Sequence, residues 1–201
     1  APNIQELFAP NFIGNDGNED PCAGKVIAAT DFGCIAQGMS VGDSTPGNPA
    51  GQYQGVLGGN PDLQPEKATT KTVSVILQPS FLPRFALTVD WFSIEVEDAI
   101  RGIGSDAILQ DCDAKATATF TPESCSLIHR DPGGSLWLTR DGYVVNIPKN
   151  IGAMHTKGFE FNGAYSHRLG ELGNLSASMV GTWLRKFKTD NGLTDPYDCV
   201  G

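Results

Sequence analysis

The sequence predicts an all-β fold: a segment of an antiparallel transmembrane β-barrel with long disulfide-pinned external loops and short helical turns within those loops. Two pairs of alternating segments indicate it, 69–78 with 84–97 and 155–166 with 173–187. Five or six residues connect the members of each pair, whereas the 57 residues of 98–154 separate the pairs. Strands of about 9–11 residues with alternating short turns and long loops are typical of membrane barrels. So long a connection is uncommon in a soluble domain.

This alternation divides the chain into four regions. Residues 1–66 are expected to form an external loop region with a disulfide, and residues 67–97 the first β-hairpin of the barrel. Residues 98–154 are expected to form a long external loop with a second disulfide. Residues 155–201 complete the division as the second hairpin and the start of the next external loop.

The strands alternate between an apolar and a polar face. In 173–187 one face carries Leu175, Ala177, Met179, Gly181 and Trp183, and the other carries Asn174, Ser176, Ser178, Val180 and Thr182. A period of two places the first set towards lipid and the second towards a polar lumen. Asp90, between Val89 and Trp91, fits a face that meets water. The same alternation also suits an antiparallel sandwich with one solvated face.

Composition and charge exclude several classes of protein. The 24 Gly and 13 Pro among 201 residues favour turns and loops over a helical bundle. Residues 1–66 hold eight acidic residues and one basic residue, Lys25, within a formal net charge of −9. A nucleic-acid surface needs clustered Lys and Arg, so nucleic acid is not expected as a partner. An acidic loop of this kind could bind calcium, although a solvated acidic loop explains it more simply.

The five cysteines form two closely spaced pairs and one remainder. The pairs are Cys22 with Cys34 and Cys112 with Cys125. Each pair lies in a stretch rich in Gly, Asp and Ser, outside the predicted strands. The spacing does not fit a zinc site, so we expect no metal and two local disulfides formed in an oxidising compartment. Cys199 is left without a partner, and we expect that partner downstream of Gly201, in a longer chain of which this sequence is a piece.

The loops also contain short helical elements. Helices are expected around Ile4–Phe8 and over 32–39, and Ser105 is a suitable N-cap for a helix through about Ala114. Residues 119–128 form a second helical turn that brings Cys125 back towards Cys112.

A small hairpin is expected in the second loop. Its strands would be 136–140 and 143–147, and its turn Asp141-Gly142. Such an Asp-Gly pair favours a type I′ turn.

Four stretches carry a resemblance to a known family: APNIQELFAP at 1–10, GNPDLQPEKATTKTVSVILQP at 59–79, FALTVDWFSIEVEDAI at 85–100 and CSLIHRDPGG at 125–134. With the strand start at Gly158, they resemble the β-barrel region of a TonB-dependent outer-membrane receptor. In that family Gly-Asn-Pro-x-Leu-x-Pro-Glu leads from an external loop into a membrane strand. A whole receptor has about 22 strands, so the resemblance implies an internal segment of the barrel.

The resemblance implies location and partners. The chain would lie in the bacterial outer membrane, in contact with its lipid, and take part in energy-coupled uptake of a scarce nutrient. The TonB energy-coupling protein would act through a plug domain that is not in this chain. The ligand would be a small molecule or an oligosaccharide, and no cofactor is implied.

Enzymatic motifs are weak. His129-Arg130-Asp131 matches three letters of a kinase catalytic loop but lacks the other kinase motifs. No Ser/His/Asp or Cys/His set can be assembled from the spacing, so no catalytic residues are assigned and the protein is not expected to be an enzyme.

The long loop offers one candidate ligand site. Trp137, Arg140, Asp141 and Tyr143 cluster around the Asp-Gly turn and supply a stacking surface, a cation, an acceptor and a phenol. The simpler interpretation is that Trp137 and Tyr143 pack one loop against another. The alternative function is a secreted, disulfide-containing β-sandwich that binds glycans, in which Trp137 and Tyr143 would stack on sugar rings.

Overall fold

The computed structural model describes residues 1–193 and 195–200 and divides into two compact units. The loop unit consists of 1–66, 100–152 and 191–195, and the hairpin unit of 67–99, 153–190 and 196–201. Strands predominate, as the sequence predicts. No helix in the described part of the chain is long and apolar enough to cross a membrane.

The elements are short in the loop unit and long in the hairpin unit. The strands are β1 Phe12–Gly17, β2 Tyr53–Leu57, β3 Lys67–Leu77, β4 Phe85–Arg101, β5 Ile128–His129, β6 Tyr143–Val145, β7 Lys149–Arg168, β8 Asn174–Asp190 and β9 Tyr197–Asp198. The helices are α1 Ile4–Phe8, α2 Phe32–Ala36 and α3 Ser105–Lys115, with 3-10 turns at Glu123–Leu127 and Gly170–Leu172.

The hairpin unit contains both predicted hairpins, which confirms the two long antiparallel pairs. The strand order is β3-β4-β7-β8-β9, with β3 antiparallel to β4 and β7 antiparallel to β8. The order is linear, so the sheet formed by the described residues is open rather than closed. A register shift between Lys157 and Gly158 marks an irregularity opposite β8.

One face of this sheet is apolar over most of its length. Cross-strand pairs place Val73 opposite Trp91 and Phe159 opposite Trp183. The ring centroids of Phe159 and Trp183 lie 5.9 Å apart. The alternate residues form a polar face, where Ser74 lies opposite Asp90. The period of two in the sequence therefore gives the sheet two chemically different faces.

The loop unit has its own four-stranded sheet, in the order β1-β2-β6-β5. β1 pairs with β2 and β5 with β6 in antiparallel fashion, but β2 and β6 are parallel, with Gly55 opposite Val144. The expectation that all strands are antiparallel is therefore wrong for this unit. A parallel pair needs a long connection, and the chain between β2 and β6 supplies one.

The core of the loop unit forms around α3 and the second disulfide. Its buried residues are Tyr53, Ile108, Leu109, Cys112, Ala116, Cys125, Ile128, Leu136 and Val144. A smaller buried cluster holds Cys22, Ile27, Cys34 and Met39. The Sγ atoms of Cys22 and Cys34 are 2.06 Å apart and those of Cys112 and Cys125 are 2.04 Å apart, so the structure forms the two expected bonds. Cys199 is exposed and forms no disulfide within the described residues.

Two helix boundaries differ from prediction. Gly104, with φ of 93°, is the N-cap of α3, and Ser105 is its first residue. The Ser105 hydroxyl donates instead to Asp16 Oδ2 at 2.5 Å, so it does not cap the helix. α2 ends at Ala36 rather than 39 because Gly38 adopts a φ of 95°, the left-handed conformation that ends helices.

The small predicted hairpin does not form. Residues 136–140 are not a strand, and Tyr143–Val145 pairs with β2 and β5 instead. Gly142 does not take a positive φ, so the type I′ turn is absent. Gly142 is needed for another reason, since a Cβ there would lie 2.1 Å from the Ser135 carbonyl oxygen.

Candidate functional site

The segment 135–141 is held against β2 by hydrogen bonds from a single residue, Gln54. Gln54 Nε2 donates to the Trp137 carbonyl at 3.0 Å and to the Thr139 carbonyl at 3.1 Å. The Gln54 backbone N–H donates to the Leu136 carbonyl. Because these bonds fix the backbone on both sides of Leu138, the position of Arg140, which follows Thr139, is defined.

A buried carboxylate fixes the same segment from its other side. Asp131 Oδ1 accepts hydrogen bonds from the backbone N–H groups of Gly133 and Ser135, at 2.9 and 2.8 Å. Asp131 Oδ2 accepts from the Thr139 hydroxyl at 3.0 Å. Asp131 thereby closes the turn that leads to Arg140, which gives this residue of the His-Arg-Asp sequence a structural role.

Arg140 lines a surface concavity of about 600 Å³ beside β1. The other lining residues are Asn11, Phe12, Ile13, Gly14, Asn15 and Gln54. Phe12 is 59 % exposed, and the Asn15 side chain donates to Gln52 Oε1 at 3.3 Å. An aromatic face, side-chain amides and a guanidinium together can stack on an apolar ring face and hydrogen-bond to hydroxyl groups.

The four residues predicted as a ligand site are brought only partly together. Arg140 and Asp141 are exposed, whereas Trp137 and Tyr143 are half-buried. The Trp137 indole N–H donates to the Pro46 carbonyl at 3.1 Å, and the indole packs against the core of the unit. The Tyr143 ring lies 4.9 Å from that of His129. Both aromatic residues thus make contacts within the unit, which is the packing role of the simpler interpretation.

Arg130 forms the most buried ion pair in the described part of the chain. Its guanidinium donates two hydrogen bonds to the Asp20 carboxylate, at 2.9 and 2.7 Å, and the side chains are 3 % and 1 % exposed. It also donates to Gln37 Oε1 and to the Gly134 carbonyl. All five hydrogen bonds of the guanidinium go to groups within the protein. Because Asp20 and Gln37 flank the buried cluster of Cys22 and Cys34, Arg130 holds that cluster in place.

Several carboxylates of residues 1–66 also have partners within the loop unit. Asp16 Oδ2 accepts from Asn146 at 2.8 Å as well as from Ser105. The Ala28 backbone N–H and the Lys25 ammonium, which donate to Asp31, hold the pKa of that carboxyl below its ordinary value. These contacts use oxygens that a calcium ion would otherwise bind.

One group of potential metal ligands occurs among the described residues, Cys22, Cys34 and Asp113. The two cysteines are bonded to each other, and metal binding by cysteine needs the thiolate. This group therefore fits a disulfide and not a metal centre.

The charge is divided unevenly between the two units. The loop unit holds 15 acidic and 6 basic residues, a net charge of −9, whereas the hairpin unit holds eight of each. The field around the concavity therefore disfavours anionic ligands at long range, even though Arg140 itself is cationic.

Phe12, Asn15 and Gln54 were missed as site residues by sequence reasoning. They lie in NFIGND and in QYQG, about 40 residues apart and far from Arg140 in sequence. Only the pairing of β1 with β2, and of β2 with the segment before Arg140, brings them together. The one feature of the sequence that could have indicated this site is an aromatic residue, Phe12, at the start of the polar stretch 12–17.

Long antiparallel hairpins with an apolar and a polar face, joined to disulfide-bonded loops, are features of outer-membrane β-barrel proteins. The sequence profile of the family described as TonB dependent receptor-like, beta-barrel, matches residues 1–198. The chain belongs to this family, whose members are outer-membrane receptors and transporters. No curated protein and no solved structure matches the chain. Nothing in these comparisons supports a secreted β-sandwich.

Proposed function

We propose that the hairpin unit forms part of the wall of an outer-membrane receptor for energy-coupled uptake of a scarce nutrient, and that the loop unit lies outside the membrane and carries a ligand-recognition surface. The family match over residues 1–198 carries this proposal. The two faces of the hairpin sheet support it, because a barrel wall meets lipid on one side and a polar lumen on the other.

The energy for uptake would come from the TonB protein, acting through a plug domain. The family implies such coupling in general terms. The residues of this chain would have two tasks, to span the membrane and to capture the ligand. A loop that a rigid sheet positions is a common place for recognition.

We place the ligand surface at the concavity beside β1. Phe12 offers an exposed ring, Asn15 and Gln54 offer amides, and Arg140 offers guanidinium donors. Of the four residues predicted from the sequence, Arg140 lines this concavity, Asp141 is its exposed neighbour, and Trp137 and Tyr143 would support the surface from behind.

We further propose that the ligand is neutral and rich in hydroxyl groups, as an oligosaccharide is. A net charge of −9 on the loop unit opposes the approach of an anionic ligand. A ring face with amide and guanidinium donors matches the alternating apolar and hydroxylated surface of a sugar.

The test is binding of a panel of neutral and anionic oligosaccharides to the purified protein in detergent. We expect binding to neutral members of the panel, and Arg140→Gln or Phe12→Ala to weaken it about 10- to 100-fold, the loss expected for a charged hydrogen bond or a stacking partner. Arg101→Gln and Phe120→Ala, both exposed residues of the same unit, are the matched controls and should bind normally.

Two results would contradict the placement. Unchanged binding by both site variants would remove the concavity from the ligand surface. A loss in a Trp137→Ala and Tyr143→Ala double variant that keeps its fold, with Arg140→Gln unaffected, would move the surface to those two aromatic residues.

A further inference from the structure

A row of aromatic residues crosses the apolar face of the hairpin sheet and is followed by a row of lysines. Trp91 lies opposite Val73, and Phe159 lies opposite Trp183. Further from the short connections Gln78–Arg84 and Leu169–Gly173, the same face carries the lysine row. It consists of Lys71 and Lys157, two residues beyond Val73 and Phe159, and of Lys186, three residues beyond Trp183 across a bulge. Two residues of a strand correspond to about 7 Å.

Two lysines of this row, Lys157 and Lys186, are direct neighbours, and Asp198 is the acidic residue close enough to Lys186 to interact with it electrostatically. Lys157 and Lys186 are direct cross-strand partners, and like charges placed opposite each other destabilise a sheet. No ion pair in the described ranges 1–193 and 195–200 includes Lys71, Lys157 or Lys186. The arrangement therefore leaves a repulsion that an external anion would relieve.

The bulge in the sheet adds a fourth cation at the same level. Leu184 pairs with Gly158 and Lys186 with Lys157, so Arg185 is the extra residue of β8. Its guanidinium carbon lies 5.9 Å from the centre of the Trp183 ring, a cation–π distance. Arg185 is thus held at the boundary between the aromatic row and the lysine row.

Acidic residues of this face lie further along the strands. Glu95 and Lys188 lie one step beyond the lysine row, where His155 Nε2 is 3.3 Å from Ser93 Oγ, and Glu97 and Asp190 lie a step further. Asp198 faces Lys188 from β9, and its carboxylate accepts the backbone N–H groups of Phe187 and Val200. These residues border a depression of about 270 Å³ that includes Lys186. The row next to the aromatics is therefore cationic, and the mixed charges lie outside it.

We infer that the lysine row binds the phosphate groups of an anionic lipid in the outer leaflet. This inference rests on the proposed membrane-spanning role of the hairpin unit. In outer-membrane barrels the apolar face meets lipid, aromatic residues lie at its interfaces and the short turns are periplasmic. Those rules place the strand ends furthest from the short connections on the outer side, so the lysine row lies on the outer, headgroup side of Trp91, Phe159 and Trp183. Lysine is a strong phosphate ligand as a point charge.

The test uses the purified protein reconstituted in phosphatidylcholine vesicles that contain a small fraction of a fluorescently labelled phosphatidic acid. Energy transfer from the protein's tryptophans reports enrichment of the labelled lipid around it. We expect enrichment in the native protein, and its loss in the triple variant Lys71→Gln, Lys157→Gln, Lys186→Gln. Each lysine near an anionic surface contributes about fivefold in affinity at low salt, so the triple variant should bind roughly 100-fold more weakly.

Two further variants separate charge from folding. Replacing the same three lysines by arginine keeps the charge and should keep the enrichment. Replacing Lys25, Lys115 and Lys149 of the loop unit by glutamine changes the net charge equally and should leave the enrichment unchanged. Oligosaccharide binding by all variants should stay normal, so a failure of the lipid site is distinguishable from a failure of the proposed receptor function.

Three results would overturn the inference. Enrichment that survives in the glutamine variant means that the row does not bind the headgroup. Enrichment lost equally in the arginine variant means that packing, not charge, is responsible. Complete displacement by inorganic phosphate at low millimolar concentration would mean a site for soluble phosphate rather than for a lipid.

Discussion

Removing the buried arginine of the loop unit gives the sharpest test of how that unit is held together. In Arg130→Met the side chain keeps an apolar stem but loses the guanidinium that binds Asp20, Gln37 and the Gly134 carbonyl. The Asp20 carboxylate, 1 % exposed, then stays buried without its cation. We expect the region of the Cys22–Cys34 disulfide to open locally.

The size of the expected loss of stability follows from the burial of this ion pair. Removing one partner of a buried ion pair costs about 3–5 kcal/mol, because the remaining charge is left uncompensated in a low dielectric. The pair is bidentate and both side chains are almost fully buried, so the full range applies. Replacing both partners, with Arg130→Met and Asp20→Leu, should cost far less than the single change, since no charge is left behind.

Native-state hydrogen exchange measured by mass spectrometry is the assay. Exchange in the segment 18–39 should accelerate by roughly 100- to 5,000-fold in Arg130→Met, which corresponds to the cost above. Arg101→Met, which removes an exposed arginine of the same unit, is the matched control and should change nothing. Equal protection of 18–39 in Arg130→Met and native protein would refute the idea that this ion pair holds the cluster.

Three further predictions concern the loop unit. Ile108→Ala, at a position with no exposed surface, should lower the free energy of unfolding by about 2–5 kcal/mol in denaturant titrations; a loss below 1 kcal/mol would contradict the assigned core. Gly142→Ala should destabilise by about 1–3 kcal/mol because its Cβ meets the Ser135 carbonyl oxygen, and thermal stability equal to that of a Gly47→Ala control, whose Cβ would come no closer than 3.9 Å to the Tyr53 hydroxyl, would refute this. The Asp31 pKa should lie below 3.8 by NMR titration; because the folded value is lowered, its stabilising effect is present above the unfolded pKa and is lost as pH falls through the folded pKa, and it should vanish in Asp31→Asn.

The hairpins were predictable because their information is local. A period of two within 84–97 and 173–187 specifies which side chains share a face, and short connections specify antiparallel neighbours. The Cys22–Cys34 and Cys112–Cys125 pairs were equally accessible, since partners 12 and 13 residues apart close small loops.

The loop unit was not predictable in the same way because its contacts are long-range. β6 pairs in parallel with β2, nearly 90 residues earlier, and Asp20 meets a guanidinium 110 residues away. No local pattern encodes such a contact. The hairpin expected around Asp141-Gly142 does not form because Tyr143–Val145 pairs with β2 on one side and β5 on the other. This pairing buries Val144 completely, which outweighs the local preference of Asp-Gly for a tight turn.

Of the residues that line the proposed concavity, the sequence pointed only to Arg140. Clustering in sequence suggested Trp137 and Tyr143 as well, but a half-buried aromatic residue in a loop packs on the nearest apolar surface. The sheet brings Phe12 and Asn15 close to Arg140. They lie 125 or more residues from Arg140 in the sequence, so no local pattern predicts that these residues are close in space.

We propose that the hairpin unit spans the outer membrane with the Met179 and Trp183 face towards lipid. A nitroxide label placed at each position from 175 to 183, in a Cys199→Ser background in native outer membranes, measures access of oxygen from lipid and of a nickel chelate from water. Met179 and Val180 are both exposed, at 59 % and 80 %, so hydrophobicity alone does not separate them. We expect lipid access at odd positions and water access at even positions, Val180 included. Water access at all nine positions, or no alternation, would contradict it.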